Sequence, residues 1–115
     1  MTAPDVRVGI VSWNTAALLD RCLSALPAAL GGLRAEVIVV DNASADDSVN
    51  VARGHAGVRV ELQSENLGYA RGMNLALAGS TAPVLLALNP DTEAAPGSLA
   101  HLIDVLGRER DVVQS

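Results

Sequence analysis

Four short apolar runs punctuate the chain, at Val6 to Val11, Val37 to Val40, Val58 to Leu62 and Val84 to Leu88. Each is rich in β-branched residues or leucine and is closed by polar or turn-forming residues, which predicts strands. Between them, apolar positions recur at helical spacing over Ala16 to Leu30, Asp46 to His55 and Tyr69 to Ala78, and Pro96 to Arg108 follows the fourth strand. The predicted order is βαβαβαβα. Near-continuous apolar strands separated by helices imply a mostly parallel sheet with helices on both faces, an open, doubly wound α/β fold.

The helix ends carry local support. Ser44 is placed to cap the second helix with Asp46 and Asp47 in its first turn, Pro96 suits the first position of the last helix, and Gly31 and Gly32 terminate the first. Asp111 to Ser115 passes from a charge into Val112 and Val113, like a further strand entered and not completed. The chain is therefore expected to stop within a domain, leaving a sheet edge that favours a homodimer.

Composition narrows the function. At 115 residues, half of them apolar and 18% charged, the chain is one globular domain rather than a disordered segment. The net charge of -5 argues against binding nucleic acid through its phosphates. All eight basic residues are arginines; with no lysine, a P-loop and Schiff-base chemistry are both excluded. A single cysteine, Cys22, permits neither a disulfide nor a cysteine metal cluster within one chain and suits a reducing compartment. No apolar run approaches the ~20 residues that span a bilayer, and Met1 to Asp5 lacks the regions of a secretory signal. The expected location is cytoplasmic, with room for peripheral membrane association in a fuller context.

Ligands of open α/β sheets bind beyond the carboxyl ends of the strands, and here those positions are polar. Ser12, Trp13 and Asn14 follow the first strand, Asp41, Asn42 and Ser44 the second, Gln63 to Asn66 the third, and Asn89, Pro90 and Asp91 the fourth. The two aromatic residues, Trp13 and Tyr69, fall in or beside these segments, either to stack on a planar ligand or to cover the end of the sheet. Asp41 is either a ligand acceptor or the start of an Asx turn, and its strand-end position favours the ligand. Asn42-Ala43-Ser44 matches the N-glycosylation pattern, a common chance match. In Asn89-Pro90-Asp91-Thr92 the fixed φ of Pro90 pre-places a carboxylate to meet a cation, although the same string also serves as a turn into the next helix. One carboxylate with few other protein ligands suits Mg2+ or Mn2+ held mainly through a substrate's phosphates. His55 and His101 stand alone, without ligand-spaced partners, and Gly68 to Asn74 does not fit the dinucleotide fingerprint.

Taken in order, Val8 to Asn14 (VGIVSWN), the leucine-rich helix with Cys22-Leu23, Val37 to Ser44 (VIVVDNAS), Asn66 to Asn74 (NLGYARGMN) and Leu85 to Thr92 (LLALNPDT) with Pro96-Gly97 resemble the amino-terminal half of family 2 glycosyltransferases, especially the rhamnosyltransferase-like branch. The resemblance runs nearly end to end. It implies a GT-A fold that binds a nucleotide-diphospho-sugar, such as a UDP- or dTDP-sugar, and inverting transfer to a saccharide or lipid-linked acceptor. It makes Val11, Ser12, Trp13 and Asn14 the nucleotide-binding first loop and Asp41 the base-binding aspartate. Asn66, Gly68, Arg71 and Asn74 fall in the segment that approaches the nucleotide and diphosphate. Asn89 to Asp91 takes the position of the family's Asp-x-Asp motif, with Asp91 meeting the metal and Asn89 replacing the first aspartate. The family's general base lies downstream of the region present, so this chain is expected to bind donor with little transfer of its own; Glu65 and Glu93 are acidic candidates by default. Two rivals remain: a non-catalytic nucleotide-binding or oligomerising module, and a nucleotidyltransferase on a related fold, which the missing lysine and glycine-rich first loop disfavour.

Overall fold

The computed structural model describes residues 3–108. Its elements follow the expected alternation: β1 (Val6–Ser12), α1 (Ala16–Leu30), β2 (Ala35–Asp41), α2 (Ser48–Arg53), β3 (Val58–Leu62), α3 (Tyr69–Leu77), β4 (Val84–Leu88) and α4 (Ser98–Arg108). The strand expected at Asp111 to Ser115 lies outside the described residues. No helix among those described is long and apolar enough to cross a membrane.

The strands form one parallel sheet in the order β3-β2-β1-β4. The chain first winds from β1 outward to β3, then returns to place β4 on the other side of β1. Strand order therefore reverses between β1 and β4. Alternate residues sort into two apolar layers. Val6, Val8, Ile10, Val37 and Val39 pack with Leu19, Leu23 and Leu26 of α1, Ala52 of α2, and Leu99 and Ile103 of α4. On the opposite face, Val11, Ile38 and Val40 pack against Met73 and Ala76 of α3. Because α3 alone covers that face among the described residues, Leu85 on the edge strand β4 is left half-exposed.

Glycines set the distance between α3 and the sheet. A Cβ at Gly9 would meet Met73 Sδ and Leu77 Cδ2 at 2.9 Å, and one at Gly72 would meet both Val11 methyls at 3.0 Å. The far end of α3 is fastened by Arg7, which sits inside the first apolar run and is 4% exposed. Its Nε donates to Glu36 Oε1 at 2.9 Å, and one terminal guanidinium nitrogen, Nη1, donates to the carbonyls of Ala76 and Ala78, each at 3.1 Å. Arg7 thus satisfies carbonyls at the C-terminal end of α3 that the helix leaves open.

Two helix starts differ from expectation. α2 begins at Ser48, with Asp46 and Asp47 before it, and Ser44 is not its cap. The Ser44 hydroxyl is already engaged, donating to Asp41 and accepting from the Asn14 amide. α4 begins at Ser98 rather than at Pro96, because Gly97 takes a left-handed φ of 74° that no α-helix continues through. Gly31 does end α1, in a positive-φ conformation.

Candidate active site at the carboxyl edge of the sheet

Parallel pairing puts the carboxyl ends of all four strands on one edge. In register, Ser12 lies beside Asp41 and Ile10 beside Leu88. Strand spacing then sets the β2 and β4 exits about 10 Å apart, with the β1 exit between them. Val11, Ser12, Trp13, Asn14, Asp41, Asn66, Gly68, Asn89 and Asp91 all fall at this edge. Arg71 joins them in the first turn of α3, whereas Asn74 lies about a turn further down the helix.

The side chains divide sharply into engaged and free. Val11 is a core residue packed against Gly72, so only its backbone faces the edge. Ser12 is fully buried, its hydroxyl 2.9 Å from that of Thr15. Asn14 holds a left-handed φ of 51°, and its Oδ1 accepts from the Ala45 amide at 2.7 Å. Asp41 is 2% exposed and accepts from the Ser44 amide at 2.9 Å and the Ser44 hydroxyl at 2.7 Å. Asp41 therefore holds its own loop, as the turn alternative has it, but through the amide three residues on rather than the two of an Asx turn, and a carboxylate retains further lone pairs. Asn66 is exposed and accepts from the Gly68 amide.

Asp46 was not singled out by sequence reasoning for the part it plays. Its Oδ2 accepts from the Ala16 amide at the start of α1, 3.1 Å away, while its Oδ1 accepts from the amide and hydroxyl of Ser48. Ser44 and Ser48 take the neighbouring Asn14 and Thr15 amides. A loop thirty residues downstream thus caps α1 and fills, with a negative charge, the place where a dinucleotide fold would seat a phosphate. The Asp-x-x-Ser spacing of residues 41–44 hints at a local turn, but nothing in the chain order reveals the bonds to α1.

Hydrogen bonding from the Ser48 hydroxyl, with the Ala16 and Ser48 amides, lowers the Asp46 carboxyl below its ordinary range; the Arg7 hydrogen bond does the same for Glu36. Both groups bind protons less readily folded than unfolded. Their stabilisation is present above the ordinary values of 3.8 and 4.5 and is lost as pH falls through the lowered ones. Thermal melts are therefore expected to stay flat from neutrality to about pH 5 and to fall steeply below about pH 4, with a shallower fall in Asp46→Asn. An acid limb of unchanged slope in that variant would refute the assignment.

Asp91, Arg71, Trp13 and Tyr69 form the free set. Trp13 and Tyr69 are 53% and 52% exposed, so neither seals the end of the sheet as a core residue would. Asp91 and Arg71 are exposed. Neither the Asp91 nor the Arg71 side chain has a hydrogen bond or ion pair among the described residues. Beneath Asp91, buried Cys22 points its Sγ at the Asn89 carbonyl, 3.8 Å away. Burial, reinforced by the Asp91 charge, pushes the thiol up to about 11. Native Cys22 is expected to resist iodoacetamide at about pH 8 and to react once the protein is unfolded; rapid native labelling would contradict its burial.

No group of three or more His, Cys, Asp or Glu residues able to hold a metal exists among the described residues. A free carboxylate at the strand-order reversal fits a cation shared with a ligand's phosphates, not one caged by protein.

An open parallel sheet with polar loops gathered at a strand-order reversal is the construction by which doubly wound α/β proteins bind nucleotides. More particularly, the chain belongs to glycosyl transferase family 2, whose family model matches residues 7–115. It is 31% identical over 113 residues to an uncharacterized glycosyltransferase of Mycobacterium tuberculosis, covering 98% of this chain and 49% of that relative. Among solved structures it superposes on S. aureus TarS 1-349 in complex with UDP-GlcNAc, with a TM-score of 0.78, 19% identity and coverage of 92% of this chain and 32% of that one. It also superposes on the mannosyltransferase PcManGT from Pyrobaculum calidifontis in complex with GDP-Man and Mn2+, with a TM-score of 0.73, 23% identity and coverage of 92% and 32%. The fold is thus GT-A, and the chain spans about half the length of the mycobacterial relative and a third of these structures.

Proposed function

We propose that this chain is the donor-binding part of a metal-assisted, inverting glycosyltransferase, which takes a sugar from a nucleotide-diphospho-sugar. The carrying observation is Asp91, at the strand-order reversal: its carboxylate makes no hydrogen bond or ion pair among the described residues, in a family 2 member whose other edge aspartates are already hydrogen-bonded. Support also comes from solved neighbours of the same fold that hold UDP-GlcNAc, or GDP-Man with Mn2+.

In this reading, the nucleoside lies over the β1 and β2 exits, with Trp13 or Tyr69 against the base and Asp41 accepting from it. The diphosphate lies toward β4, between Asp91 and Arg71. A bound Mg2+ or Mn2+ would supply positive charge to the departing diphosphate, in a chain with no lysine to do so. Transfer breaks the bond from the anomeric carbon to the phosphate oxygen and forms one to the acceptor oxygen, whose proton passes to a base. No described residue is assigned that base, and transfer is proposed for the complete enzyme. A nucleotidyltransferase reading is disfavoured because Asp46, Ser44 and Ser48 occupy the first-loop amides.

Calorimetric titration with UDP and dTDP, with and without manganese, tests the proposal. Metal-dependent binding of one of them is expected; no detectable binding of either would sink it.

A further inference from the structure

We propose that Asn42 is the positioning residue that fixes the first turn of α3, and Arg71 with it, against the loop leaving β2. The inference deepens the donor-binding reading and rests on it for its effect on ligand.

Asn42 immediately follows Asp41 and is 2% exposed. Its backbone amide donates to the Ser12 carbonyl at 2.9 Å, which anchors it to β1. Its side chain turns to the other face. There Nδ2 donates to the Gly68 carbonyl at 3.1 Å, and Oδ1 accepts from the Leu67 amide at 3.4 Å. Gly68 caps α3 at a φ of 84° and offers no side-chain cap to the helix. The polar attachment of this turn to the sheet therefore runs through one buried amide.

The required side chain must donate and accept at once, within the reach of a single methylene. Asparagine meets that demand. Aspartate has the same shape but would set a carboxylate oxygen against the Gly68 carbonyl. Glutamine is longer, and the space is closed, since a Cβ at Gly72 would already lie 3.3 Å from Asn42 Nδ2. Consecutive residues thus govern the two ends of the site: Asp41 holds the β2 loop, and Asn42 holds the helix that carries Arg71. The buried amide, engaged at both its nitrogen and its oxygen, also leaves no accessible acceptor for N-glycosylation at the Asn42-Ala43-Ser44 match.

The test compares wild type with Asn42→Asp by amide hydrogen exchange and by titration with a nucleoside and its diphosphate, uridine against UDP and thymidine against dTDP, in manganese. Exchange over residues 67–72 is expected to rise at least about tenfold while α1 is unchanged. Diphosphate affinity is expected to fall about tenfold more than nucleoside affinity. Unchanged exchange at 67–72, uniform loosening of the whole chain, or equal losses of nucleoside and diphosphate would each overturn the proposal. If wild type binds no nucleotide, the donor-binding reading falls and exchange alone decides the clamp. Should Asn42→Asp fail to fold, Gly72→Ala presses on the same amide, and an unchanged exchange pattern in that variant overturns the proposal equally.

Discussion

Asp91→Ala is expected to abolish the manganese-dependent component of UDP or dTDP binding, lowering affinity at least roughly 100-fold in the presence of metal. In the absence of metal, the variant and wild type should bind alike. The expectation follows from what Asp91 lacks: it is exposed and its carboxylate makes no hydrogen bond or ion pair among the described residues, so it is available to a cation and its removal leaves no polar partner unpaired. Melting temperature should therefore hold, with any change within about 0.5 kcal/mol. Asp91→Asn keeps the shape and an oxygen but not the charge, and should fall between the two. Equal metal-dependent affinity in wild type and Asp91→Ala would remove Asp91 from the site, whatever the family assignment.

Arg7→Ala should produce the largest loss of stability, about 3 kcal/mol, because it leaves α3 carbonyls without their donor and strips Glu36 of its partner. For a domain of this size that corresponds to a fall of roughly 10 °C or more in melting temperature by circular dichroism. The pair is not buried at both ends, since the Glu36 side chain is 37% exposed; the loss therefore arises mainly at the Ala76 carbonyl, where water cannot easily replace the guanidinium. Arg7→Lys should recover only part of it, since an ammonium cannot span carboxylate and helix end with the same fork. A shift under about 2 °C in Arg7→Ala would show that the contacts are incidental.

These residues mark where sequence reading stopped. Arg7 is the second residue of an apolar run that correctly predicted β1, and the run alone says nothing of where its side chain goes. Only α3, folded over the sheet nearly seventy residues later, makes it interior. Asp41, Asp46 and Asp91 look alike in the chain, each near a strand exit and a turn. The structure separates them by their partners: Ser44 for Asp41, the α1 amides and Ser48 for Asp46, and no described group for Asp91.

Architecture, and the edge where the polar loops gather, were legible in the order of the residues. Strand and helix periods are local properties, and a parallel sheet brings every strand exit to the same side whatever the loops do. The strings that mark glycosyl transferase family 2 were likewise legible, since they are contiguous in the chain. Which polar groups are bound by protein, and which are not, became visible only in the folded chain. The Asp41–Ser44 turn is local, but the bonds that tie the loops to α1 and α3 join residues about thirty apart, or nearly seventy for Arg7, and no local period encodes them. Of Asp41, Asp46 and Asp91, the last is distinguished by having no such partner among the described residues, a property that a sequence does not display.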